Sequence, residues 1–129
     1  MRLTTWCIGL LGILLAITLT ACAGRASAPE AIQEYIQARA QSDVDEMINL
    51  SCPGWEAQAR IEATSFAAMN AVVEGMACQE AGAEGGATLV SCQGKIVTTY
   101  NGEAREWSLS DHQFRVISDD GEWRMCGYQ

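Results

Sequence analysis

Six cysteines dominate the chemistry open to this chain: Cys7, Cys22, Cys52, Cys78, Cys92 and Cys126. No two stand at the close spacing that structural zinc uses, and His112, the single histidine, is the only residue that could add a ring nitrogen. The pattern therefore predicts disulfides and no metal. Cys7 and Cys22 lie in or beside an apolar N-terminal stretch, which leaves four cysteines and three possible connectivities. Cys78 and Cys92 are placed symmetrically about Gly85, inside the glycine-rich run Ala81–Gly86. If flanking strands fold back around that run, the two thiols meet at bridgeable distance. Cys52 then pairs with Cys126 and ties the first half of the chain to its end. In the chain-entropy account the short loop is worth about 3 kcal/mol and the long one about 4.5.

Other candidates are weaker. Asp111-His112 could supply a general base, but a base needs a partner geometry that spacing does not show, and a polar residue at a strand bend is the plainer reading. Asp43-Val44-Asp45-Glu46 fails the calcium-loop pattern after its second acid and reads as helix-start charge. Gly82, Gly85 and Gly86 lack the following helix that a phosphate loop requires. Trp55, Trp107 and Trp123 could line an apolar pocket, but are expected in the core of so small a domain. No cofactor is implied.

The first segment has one positive charge, Arg2, followed by an almost wholly apolar stretch from Trp6 to Leu19. That length suits a signal segment and falls short of the roughly 20 residues a membrane span needs. Leu19-Thr20-Ala21-Cys22 resembles the lipobox of bacterial lipoproteins: an aliphatic residue, two small residues, then cysteine. The resemblance implies cleavage after residue 21, diacylglyceryl transfer to the Cys22 thiol, and a cell-membrane or outer-membrane protein facing the extracytoplasmic side. Spending Cys22 on lipid also resolves an odd cysteine count, since five would otherwise remain after Cys7 departs. Without residues 1–21 the net charge is −9. An acidic surface argues against a nucleic-acid partner, which needs a basic footprint, and against lying flat on anionic lipid. The membrane is then a partner only through the lipid on Cys22.

The remaining chain, one domain in length, must position these groups. Residues 22–28 read as a tether and 29–129 as the domain, with Pro29 in the first turn of a helix. Ile32, Tyr35, Ile36 and Arg39 share one helix face through about Gln41. Asp43 caps a second helix with Glu46 in the capping-box position. A third is expected from Trp55 to about Ala68, with Trp55, Ala59, Glu62 and Phe66 on one side. Strands follow: Val72 to Cys78, Thr88 to Tyr100, a partner across the strong Asn101-Gly102 hairpin signal, and Gln113 to Ser118, which either stands alone or continues the same strand. The Asn101-Gly102 turn would set Tyr100 opposite Glu103 and Ile96 opposite Trp107. Asp119-Asp120-Gly121 suits a three-residue turn that would set Ile117 opposite Trp123 and Phe114 opposite Cys126.

This gives an α+β domain with three N-terminal helices packed on a curved antiparallel sheet of about four strands. Over residues 29–128, carried by Ala31–Ala40, Ser42-Asp43-Val44-Asp45 and the hairpin from Phe114 to Met125, the layout resembles the nuclear-transport-factor-2-like superfamily, the cystatin-like α+β cone. Enzymes of that superfamily, such as ketosteroid isomerase, work inside the cone with a carboxylate base and acid or tyrosine donors. Here only Asp111, His112 and Tyr35 offer a loose parallel, and no enzyme motif carries over. The expectation is a non-catalytic module that binds a protein partner or a small apolar ligand. The rival is a small cone-fold isomerase or hydrolase using Asp111, His112 or Tyr35.

Overall fold

The computed structural model describes residues 27–129. The expected signal segment 1–21, Cys22 and all of the expected tether before Ser27 lie outside the described residues. The first helix, α1, runs Ala28–Gln41. Ser27, in extended conformation, caps it by accepting from the Glu30 N–H at 3.3 Å. The helix therefore starts inside the expected tether, and Ala28 is already fully buried. It ends on Ser42 in the left-handed conformation (φ 56°), whose N–H satisfies carbonyls of the last turn. The second helix, α2 (Val44–Asn49), begins where Asp43 Oδ1 accepts from the Glu46 N–H at 3.0 Å.

The third helix, α3, spans only Glu56–Ala63, short of the expected Ala68. Two hydroxyls explain the early stop. Thr64 Oγ1 bonds back to the Ile61 carbonyl at 3.0 Å and Ser65 Oγ to the Glu62 carbonyl at 2.6 Å. Such local bonds compete with the helical ladder. Ala68 and Asn70 then take positive φ, which no helix continues.

The sheet overturns the four-strand expectation. It has five antiparallel strands, β1 (Val72–Glu84), β2 (Ala87–Tyr100), β3 (Glu103–Ser108), β4 (Gln113–Asp119) and β5 (Glu122–Tyr128), in the order β1-β2-β4-β5 with β3 also on β2. The cause is the length of β2. One of its edges carries β1, while the other is divided between β4 at residues 88–91 and β3 at residues 95–100. A single 3-10 turn, Leu109–Asp111, separates β3 from β4, with the Ser108 hydroxyl accepting from the Ser110 N–H at its start. Strands dominate the domain, and α1 alone lies across the sheet; α2 and α3 pack mainly on each other and on α1.

Two turns also differ from expectation. The glycine-rich run is mostly strand, with only Gly85-Gly86 turning, both at positive φ. The last hairpin turns on two residues, Asp120 and Gly121, so Asp119 faces Glu122, Ile117 faces Arg124 and Phe114 faces Tyr128. The Asn101-Gly102 hairpin pairs Tyr100 with Glu103 and Ile96 with Trp107.

Two disulfides close the domain, Cys78–Cys92 across β1 and β2 and Cys52–Cys126 between the α2–α3 link and β5, with Cα atoms 4.1 and 5.3 Å apart. Both depend on bulges. Regular pairing outward from Glu84 and Ala87 would set Cys78 opposite Gln93. A register shift between Glu80 and Gly82 moves it back to Cys92. In β5, Cys126 is itself the unpaired residue of a bulge, between Met125 facing Val116 and Gly127 facing Arg115. Beside it, Leu50–Cys52 straps the outer edge of β5: the Met125 N–H donates to Leu50 at 2.7 Å and the Cys52 N–H to Met125 at 2.8 Å. A covered edge cannot pair with another chain. The core lies between α1 and the sheet, filled by Ile32, Ile36, Met47, Val90, Ile96 and Val116.

Candidate functional site

At the end of α1 a carboxylate is buried. Glu62 on α3 is 3 % exposed. Tyr35 of α1 donates its O–H to Glu62 Oε2 at 2.9 Å, and Tyr128 of β5 donates to Oε1 at 2.6 Å. The Trp55 indole N–H donates to the Tyr35 oxygen at 3.0 Å, and Gln58 approaches Oε1 at 3.4 Å. Burial first, then the neighbouring Glu62 charge, pushes the Tyr35 hydroxyl far above its ordinary range. Burial, the hydrogen bond to Glu62 and the Glu62 charge push Tyr128 up to about 12. Both tyrosines therefore remain O–H donors at any physiological pH.

Arg39, in the last turn of α1, stands beside this group. Its Nη1 is 3.9 Å from Glu62 Oε2, and its guanidinium lies 5.0 Å from the centroid of the Phe66 ring. Among the described residues its Nε is the buried side-chain nitrogen left without a hydrogen-bond partner.

In front of Arg39 opens a cavity of about 200 Å³. Phe66, Ile96, Trp107 and Phe114 give it apolar walls, and His112 and Tyr128 stand at the polar side. Trp107 is fixed by its indole N–H, which donates to Thr98 Oγ1 at 3.1 Å, and by the Phe66 ring 5.6 Å away. The His112 ring lies against Tyr128, centroids 4.7 Å apart. A wider, open cleft of about 660 Å³ lies where Gly94 presses on the Glu74–Gly75 backbone. Its charged groups satisfy one another, Lys95 pairing with both Glu74 and Glu106. Among the described residues no cluster of His, Cys, Asp and Glu could hold a metal ion.

No protein-family model matches the chain, and no curated protein does. Among solved structures it is similar to a SEC-C motif containing protein from Rhodopseudomonas palustris, known in solution, with a TM-score of 0.50 and 12 % identity over 82 % of this chain and 80 % of that one. At that identity the likeness speaks to the fold alone.

The residues singled out from sequence part company here. Asp111 and His112 border the cavity and are exposed. Tyr35 sits behind it, its hydroxyl engaged by Glu62 and Trp55. The three do not converge on one point. The tryptophans do not form the core either: Trp55 and Trp123 are half-buried and Trp107 is 45 % exposed. Sequence reasoning did not assign roles to Glu62, Arg39 and Tyr128. The usable signal was an acid and a base each occupying the apolar face of its own helix, where neither is buried without a partner. No helix among the described residues is long and apolar enough to cross a membrane, and the two disulfides are consistent with an extracytoplasmic location.

Proposed function

We propose that this chain is an extracytoplasmic lipoprotein, anchored through Cys22, whose domain binds a small molecule in the cavity beside Trp107 and His112 without transforming it. The observation that carries this reading is the cavity itself: apolar walls with a few polar groups on one side, the usual make-up of a small-molecule site. At about 200 Å³ it suits a compound of metabolite size. A non-catalytic role is favoured because Tyr128, the tyrosine that lines the cavity, already has its proton committed to Glu62. The anchor rests on the match of Leu19-Thr20-Ala21-Cys22 to the lipobox and on the four cysteines that remain once Cys7 leaves with residues 1–21 and Cys22 is set aside.

The test is mass spectrometry on protein extracted with detergent from its own cells. Under native conditions the expected result is a small molecule that leaves on unfolding. After digestion, the N-terminal peptide should begin at an acylated Cys22. An empty domain would end the binding reading, and an unmodified Cys22 would end the anchor.

A further inference from the structure

We propose that the cavity selects a monocarboxylate on a compact apolar body, with Arg39 as the group that holds the carboxylate. This deepens the binding reading above and rests on it. The argument begins with competition for Glu62. Its two oxygens take short hydrogen bonds from Tyr35 and Tyr128, at 2.9 and 2.6 Å. Arg39 is left at 3.9 Å, too far for a hydrogen bond, so Glu62 balances its charge without satisfying its donors. A guanidinium offers five N–H groups in a planar fork; here the Nε–H is buried without a partner, while the side chain as a whole is 27 % exposed. A buried donor without an acceptor is expensive, and native structures seldom leave one so.

The cavity can bring an acceptor to this side chain, because Arg39, 27 % exposed, lines it. A carboxylate presents two oxygens in the geometry that a guanidinium matches, which a hydroxyl or an amine does not. Phe66 holds the guanidinium plane from one side, so the fork is already oriented and little side-chain freedom remains to be lost on binding. The walls set the rest of the ligand: Ile96, Trp107 and Phe114 have only apolar surface and the indole face to offer, since the Trp107 N–H is committed to Thr98. Charge sets the upper limit. Exposed Asp111 at the rim, Glu62 beside the guanidinium and a strongly acidic surface disfavour polyanions, so the fork holds one carboxylate at most.

The experiment is titration of the full mature protein, in detergent, with phenylacetate, phenylacetamide and phenethylamine, followed by calorimetry and by the NMR signal of the Trp107 indole N–H. Phenylacetate should bind and move that signal, with the amide and the amine weaker by about tenfold or more. Arg39→Gln should remove most of this preference, and Arg39→Lys, which keeps the charge but loses the fork, should fall between. Trp107→Ala, at a site exposed enough to tolerate it, should weaken the acid and the amide together and leave their ratio unchanged; this variant serves if Arg39→Gln unfolds. Equal binding of acid and amide, or an unchanged ratio in Arg39→Gln, would overturn the carboxylate preference while leaving a binding cavity intact. Failure of all three compounds to bind would remove both.

Discussion

The two ends of this domain are each closed by a disulfide, yet they are built differently. At the β1–β2 tip, Cys78 and Cys92 join strands that are already hydrogen-bonded neighbours, and residues 79–84 of β1 are exposed throughout. At the helical end, Cys52–Cys126 joins segments 74 residues apart. Around it the Leu50–Cys52 strap, Trp55, Tyr35, Glu62 and Tyr128 form one connected set of hydrogen bonds. The comparison teaches that a cross-link contributes according to what the chain would otherwise do. The tip needs little help to stay paired. The helical end has no sheet ladder of its own and depends on the covalent tie, the strap and a buried polar cluster.

The sharpest break in that comparison is the removal of each bridge by paired Cys→Ser substitution. Loss of Cys52–Cys126 should cost about 4.5 kcal/mol and loss of Cys78–Cys92 about 3, read as the difference in urea midpoints. Equal losses would put the two ends on the same footing. Glu62→Ala comes next, at roughly 3 kcal/mol, because it leaves a guanidinium and two tyrosine hydroxyls without their shared partner. The same unfolding assay measures it, and the effect should be absent from Glu80→Ala on the exposed tip. Tyr128→Phe should cost about 1 kcal/mol, one hydrogen bond with little change in volume.

The smallest effect is in alkaline solution. Tyr128 is held up to about 12 in the folded domain against an ordinary value of 10.0. A group raised on folding stabilises fully below its unfolded value and loses that contribution as pH rises through its folded one. Stability should therefore decline between pH 10 and 12. Tyr128→Phe should flatten part of that decline in a series of unfolding curves, with the Tyr35 share remaining. A slope unaltered in Tyr128→Phe would place the alkaline sensitivity elsewhere.

What could be read from the sequence follows the range of the interaction that decides each feature. Asn101-Gly102 defines a hairpin from two residues, and the register Tyr100 to Glu103 follows from that turn alone. The cap at Asp43 is as local. The glycine-rich run was misleading because Gly82 and its neighbours serve a bulged strand, and Asp119-Asp120-Gly121 because a two-residue turn with Asp120 at positive φ competes closely with the three-residue form. The fifth strand depends on β2 carrying two partners along one edge, and no local pattern announces that. The site is the extreme case. Tyr35, Glu62 and Tyr128 come from α1, α3 and β5, and their meeting is fixed by the strap on β5 and the packing of α3 on α1. In the sequence Glu62 was simply a member of a helix face.

Ser27 and Arg39 stand at opposite ends of α1, which at 1.5 Å per residue separates them by about 18 Å. The polypeptide comes into the domain at one pole and meets the cavity at the other. Under the anchor proposed above, a pull from the membrane acts on the first turn of α1, while the cavity lies beside the other end of that helix.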